Sequence, residues 1–264
     1  MRDINRNEHS VPEYRPIDKS VYSVLEENCT GLGDRPALSY FGKEYSFSEL
    51  MCNIDRVASA LLGMGITKGD KVIVSLPSVP EAVELFYAIN KIGAVFCGMD
   101  CRSKHDEIEE ILVQIKPKAC FVSDFHLKEF TNVDSVPVIC ISFMKTISVI
   151  ASFASVFVGI FTGRTFLIAR RKNFMSYQQF IRNAKDTPVE KTDLGGDEIC
   201  AYFYTSGTTY GRKCVMITNE NMNSSVLQYA YSQPGIDGAD RFCTIMPLFT
   251  CYGITLGTHL PLIL

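Results

Sequence analysis

No two of the ten cysteines in this 264-residue chain form a C-x-x-C pair, and no nearby histidine completes a zinc set. Cys97 and Cys101 are four apart; Cys29, Cys52, Cys120, Cys140 and Cys200 each stand alone among apolar or helical residues. Such thiols are expected to be buried, reduced and free, as in a cytoplasmic protein, and no metal site is expected. A strong charge of either sign is also lacking. The 26 Lys and Arg against 29 Asp and Glu leave a net charge of −3. No basic block interleaved with aromatics occurs, so no general attraction to nucleic acid is expected. Met1 to His9 is charged and polar, and no signal peptide is expected. Internal repeats and low-complexity segments are missing.

What remains is ordinary globular composition, 47% hydrophobic and 21% charged, in a chain long enough for one large core or two smaller ones. Residues 1–17, polar with Pro12 and Pro16, read as an N-terminal arm. A helix is expected over 19–29 and a β-hairpin over 37–47, turning at Gly42-Lys43. Ser46 followed by Glu49 is a capping-box pattern opening a helix that ends at Gly63 and Gly65. Strands at 71–76, 94–98, 118–123 and 136–142 alternate with helices at 80–92 and 103–115. A short helix follows at 175–184, then a linker over 186–197. A helix over 219–231, capped by Thr218 or Asn219, a strand at 242–246 and a turn over 248–253 finish the pattern. Alternating strands and helices with short links imply an α/β fold, a parallel-rich sheet with helices on both faces. Ligands in such sheets gather at the carboxyl ends of the strands.

Residues 146–163 interrupt that rhythm: 18 positions without a charge, followed by Arg164 and then Arg170-Arg171-Lys172. Ser148, Ser152, Ser155, Gly159 and Thr162 make a stripe of small residues at helical spacing. Three readings stay open: a helix packed on the sheet, a helix on a membrane surface with the basic cluster at head groups, or a bilayer span. Peripheral membrane contact through 146–172 is therefore carried alongside a cytoplasmic location.

The densest polar signal is at 204–213, Tyr-Thr-Ser-Gly-Thr-Thr-Tyr-Gly-Arg-Lys, between apolar runs at 199–204 and 214–217. Four hydroxyls (Thr205, Ser206, Thr208, Thr209), two glycines and two cations fall within ten residues. Turn amides form anion-binding concavities and Lys213 adds a point charge, so a phosphate is the expected guest. The spacing is not G-x-x-x-x-G-K-[ST]: Gly207 and Gly211 are too close, Arg212 intervenes, and Cys214 stands where Ser or Thr would be.

The stretch resembles the phosphate-binding signature of the adenylate-forming, AMP-binding superfamily, [YF]-T-S-G-[ST]-T-G-x-P-K-G-V. Tyr45 to Leu50 is similar to that family's early T-Y-x-E-L segment, Asn90 to Val95 to its L-K-x-G-A motif, and Met246 to Gly253 to its P-L-F-H-x-x-G segment. The resemblance covers 18–264 and implies the first half of the family's large domain, incomplete at its C-terminal end. It implies ATP-dependent activation of a carboxylic acid to an acyl-adenylate, then thioester formation with coenzyme A, in the manner of an acyl-CoA synthetase acting on a fatty or other acyl acid. Thr205, Ser206, Gly207, Thr208, Thr209 and Gly211 would hold phosphates, with Mg2+ assisting. Lys213 would be catalytic, steadying the departing pyrophosphate, and Tyr252 and Gly253 would lie at the acyl pocket.

Some positions depart from the pattern: Tyr210 replaces Gly, Arg212 replaces Pro, Cys214 replaces Gly, and Thr250 replaces His. The family's magnesium acid, ribose aspartate and distal catalytic lysine have no counterpart, so a missing C-terminal portion or a second chain is expected to be needed for activity. Two alternatives remain open, a non-catalytic nucleotide-binding fragment or pseudoenzyme and a membrane-attached interaction protein. His105, His126 and His259 have no partners in sequence and are assigned to surface or core.

Overall fold

The computed structural model describes residues 17–142, 168, 170–185, 187–205, 212–233 and 235–264. The arm (apart from Ile17) and the apolar stretch 146–163 lie outside the described residues. Among those described, no helix is long and apolar enough to cross a membrane.

Local signals set the first elements. The Ser20 side chain accepts from the Ser23 N–H and opens α1 (Val21–Asn28). Strands β1 (Pro36–Tyr40) and β2 (Lys43–Ser46) pair antiparallel around a two-residue turn in which Phe41 and Gly42 both have positive φ. Ser46 and Glu49 form the full reciprocal capping box of α2 (Phe47–Gly63).

The main sheet is built from β3 (Lys71–Ser75), β4 (Val95–Gly98), β5 (Ala119–Ser123), β6 (Val138–Ile141), β7 (Phe174–Ser176), β8 (Ile199–Tyr204) and β9 (Cys214–Thr218). Their order is β7-β6-β5-β3-β4-β8-β9, parallel throughout except for the β8–β9 pair. The central strands are nearly continuous apolar runs because both faces are covered. One face packs against α1, α2, α3 (Pro80–Lys91) and the C-terminal helices. The other packs against α4 (His105–Ile115) and the turn Leu127–Phe130. The expected α/β architecture with helices on both faces is the one observed.

Three elements differ from expectation. Met175, expected in a helix, belongs to β7; the helix is only α5 (Tyr177–Ile181), because Ser176 caps it. Residues 242–246, expected as a strand, join no ladder among the described residues, since their apolar composition has no neighbouring strand to pair with. The stretch 248–264 is not a turn with an apolar tail. After α6 (Asn219–Ser232) it forms α7 (Cys251–Ile254), capped by Thr250, a π-turn (Thr255–His259) and α8 (Leu260–Ile263). All ten cysteines are free, but only Cys97, Cys120, Cys140 and Cys200 are buried; Cys52 and Cys243 are exposed.

Candidate active site

The chain leaves β3 into α3 on one face of the sheet and leaves β4 into α4 on the other. The carboxyl ends of β3 and β4 therefore flank a switch point, where a ligand crevice is expected in an open α/β sheet. Residues 246–249 lie across that crevice. The Ser78 hydroxyl donates to the Met246 carbonyl at 3.4 Å. At Gly98, the last residue of β4, an added Cβ would stand 2.4 Å from the Phe249 carbonyl oxygen and 3.0 Å from the Phe203 ring. Only glycine lets the segment sit this low on the sheet.

The same segment is folded tightly on itself. Thr250 Oγ1 donates to the Pro247 carbonyl at 2.7 Å and accepts from the Gly253 N–H at 3.1 Å. Gly253 is buried, with the Pro247 oxygen 2.0 Å from where its Cβ would be. Tyr252 faces outward, 55% exposed, and lines an open groove of about 410 Å3 with Phe242, Met246, Leu256 and Leu260. Gly253 does not line that groove; it shapes the turn that presents Tyr252.

One strand from β4, β8 and β9 form the hairpin that carries the hydroxyl-rich stretch. Tyr204 opposes Cys214 in the last ladder pair, and the Thr205 N–H donates to the Lys213 carbonyl at 3.0 Å, closing the mouth of the hairpin. Ser206, Gly207, Thr208, Thr209, Tyr210 and Gly211 lie outside the described residues. The two neighbouring cations have different fates. Arg212 forms an ion pair with Glu107 of α4. Lys213 is exposed, and among the described residues no carboxylate pairs with it. The Tyr204 hydroxyl donates to Gln114 Oε1 at 3.1 Å, and burial pushes both its pKa and that of the Cys214 thiol up.

Glu107, Gln114 and Gly98 did not emerge from the sequence. Their only trace there is the 107–111–114 spacing, which marks one face of α4. The histidines take no part. His126 accepts from the Ser75 hydroxyl at 2.8 Å and donates from Nε2 to the Ser103 carbonyl at 2.6 Å, and burial lowers its pKa. His259 is fully buried, and His105 is partly exposed beside Glu109. Among the described residues no group of His, Cys, Asp or Glu could hold a metal ion. Arg171 of the basic cluster is committed to Asp134 at 2.6 Å and lies over the Phe174 ring.

The family model described as AMP-binding enzyme matches residues 25–264, and the chain belongs to that family. It is 22% identical over 254 residues to the long-chain-fatty-acid–CoA ligase of Bacillus subtilis (strain 168), covering 94% of this chain and 45% of that protein. It is 23% identical over 250 residues to 4-coumarate–CoA ligase 3 of Arabidopsis thaliana, covering 92% and 40%. Among solved structures, the anthranilate CoA ligase AuaEII in complex with anthranoyl-AMP superposes with a TM-score of 0.78 at 21% identity, covering 94% of this chain and 44% of that one. That likeness establishes the fold. The chain spans less than half the length of these relatives.

Proposed function

We propose that this chain carries the phosphate-holding and acid-presenting part of an AMP-forming acid–thiol ligase. In the first half-reaction the substrate carboxylate attacks the α-phosphate of ATP, giving an acyl-adenylate and pyrophosphate. In the second, the thiol of coenzyme A takes the acyl group. A carboxylate is a poor nucleophile toward an anion, so the protein's contribution is to position the reactants and offset phosphate charge. Thr205, Ser206, Gly207, Thr208, Thr209 and Gly211 would supply hydroxyl and amide donors to the β- and γ-phosphates, and Lys213 would meet the leaving pyrophosphate.

The observation that carries this reading is the division of labour at the hairpin mouth. Arg212 is neutralised by Glu107, while Lys213, just before β9 and opposite the end of β8, has no carboxylate partner among the described residues; β8 lies beside β4, whose end meets the segment that presents Tyr252. The groove beside Tyr252 is lined largely by apolar side chains and suits the acyl part of the acid. Mg2+ would add charge neutralisation when bound through the phosphates. The described residues offer no carboxylate cluster to hold it, and no step here depends on it.

The test is ATP–pyrophosphate exchange with a panel of carboxylic acids, run beside a direct ATP-binding measurement. ATP binding by this chain, and acid-dependent exchange once a C-terminal portion is supplied in the same chain or by a second one, are the expected results. ATP binding without exchange for any acid even then would reduce the chain to a nucleotide-binding module, and absence of ATP binding would overturn the reading.

A further inference from the structure

Helix α4 carries Glu107, Ile111 and Gln114 on one face, at steps of four and three. Glu107 and Gln114 both reach the β8–β9 hairpin. Ile111 is buried in the apolar cluster against which Tyr204 and Cys214, the last ladder pair, both pack. Gln114 takes the Tyr204 hydroxyl, which holds one arm of the hairpin. Glu107 takes Arg212, which holds the other. The Glu107 carboxylate is itself fixed, because its Oε2 accepts the Lys104 N–H at 3.0 Å in the first turn of α4, where the helix dipole favours an anion. Its Oε1 is the oxygen that meets Arg212.

We infer that Glu107 is a positioning residue: it pins Arg212 to α4, so that the backbone of Lys213 closes the hairpin on Thr205 and the Lys213 ammonium is the cation left for an anionic ligand. The last clause rests on the nucleotide reading proposed above; the first does not. Arg212 sits where the family signature has proline, so in this chain an ion pair to a helix fixes a backbone that a ring would otherwise restrain.

Hydrogen exchange at the Thr205 amide reports the mouth of the hairpin directly, since that N–H bonds the Lys213 carbonyl. Three variants are compared with the wild-type chain: Glu107→Gln, which keeps the acceptor for Lys104 but removes the charge, Glu107→Arg, and the exchanged pair Glu107→Arg with Arg212→Glu. Thr205 exchange should quicken about fivefold in Glu107→Gln and about tenfold in Glu107→Arg, and return close to the wild-type rate in the exchanged pair. ATP affinity, measured by calorimetry, should weaken and recover in the same order, at unchanged melting temperature. Wild-type exchange at Thr205 in a folded Glu107→Arg protein would overturn the inference. If exchange follows the expected order while the wild-type chain binds no ATP, the pinning role stands and the nucleotide reading falls.

Discussion

His259 Nδ1 lies 3.0 Å from the Tyr87 hydroxyl, and the direction of that hydrogen bond is set from the far end of a side-chain relay. The Lys19 carbonyl can only accept, so Asn223 donates to it through Nδ2 at 3.0 Å. Asn223 Oδ1 is then the acceptor for the His259 Nε2–H at 2.9 Å. Full burial disfavours the cation and pushes the His259 pKa down to about 3. In the neutral ring Nδ1 therefore carries the lone pair and accepts from the Tyr87 hydroxyl. The relay ties α3, α6 and the π-turn to the entry of α1.

This relay gives the fold an acid-sensitive point. Unfolded, His259 titrates near the ordinary value of about 6.5. Between that value and about 3 the unfolded chain binds the extra proton, so the stability from this site is complete above pH 6.5 and is lost as pH falls. At pH 5 the loss is about 2 kcal/mol. His259→Leu orphans the Tyr87 hydroxyl and Asn223 and should lower stability at pH 8 by a similar amount, about 2 kcal/mol. Urea unfolding curves of the two proteins should therefore converge near pH 5. A constant gap from pH 8 to 5 would show that His259 does not titrate on unfolding.

Glu84 has the opposite sign. It is 6% exposed between α2, α3 and α5, and its pKa is raised from about 4.5 to about 7, chiefly by burial and next by Glu81. Asn53 at 2.8 Å and Tyr177 at 3.4 Å donate to its two oxygens and oppose the shift. The folded chain holds the proton that the unfolded chain has lost, so stability is full below about pH 4.5 and is lost as pH rises through 7. Glu84→Gln should stabilise by roughly 3 kcal/mol at pH 8 and by nothing measurable at pH 4. Between pH 4.5 and 6.5 the two sites cancel in the wild-type chain. A single variant at either position should unmask the slope of the other in chemical denaturation.

These two sites also mark where sequence reading stops. Ser46 with Glu49, the Gly42 turn and the apolar strand runs were legible because each is a local rule, satisfied within a few residues. Tyr87 and His259 are 172 positions apart, and Glu107 and Arg212 are 105 apart. Nothing local distinguishes such partners until the fold brings them together. The hydroxyl-rich stretch points to a phosphate by composition alone, yet Arg212 and Lys213 are equal cations in sequence. Only α4 shows which of them is already neutralised. Residues 242–246 were misread for the related reason that a strand is defined by pairing with a neighbour, which composition alone does not supply.

Gly253 should tolerate no side chain. An alanine Cβ would stand 2.0 Å from the Pro247 oxygen and 2.7 Å from its carbonyl carbon, both backbone atoms that cannot swing aside. Gly253→Ala should destabilise by about 3 kcal/mol and displace the turn that presents Tyr252. Gly257→Ala is the matched control, because its nearest neighbour is the Thr244 methyl at 3.2 Å, the end of a side chain. It should change stability by no more than about 1 kcal/mol. Equal urea midpoints for the two variants would contradict this placement of the 246–253 segment.

Lys213 tests the site itself. Its side chain is exposed and has no carboxylate partner among the described residues, so its removal leaves no buried group unsatisfied. Lys213→Ala should therefore shift stability by less than about 0.5 kcal/mol. On the proposed reading Lys213 meets charge that develops on a leaving pyrophosphate, and its loss should lower pyrophosphate-linked turnover of the enzyme completed at its C-terminal end about 100-fold or more. Arg212→Ala provides the contrast. Its guanidinium is held by Glu107, so it should act through the geometry of the hairpin mouth, with a smaller loss of turnover and faster exchange at the Thr205 amide. Isotope exchange and thermal melting on the three proteins separate these outcomes. Matched losses of turnover and stability in Lys213→Ala would make Lys213 a structural residue.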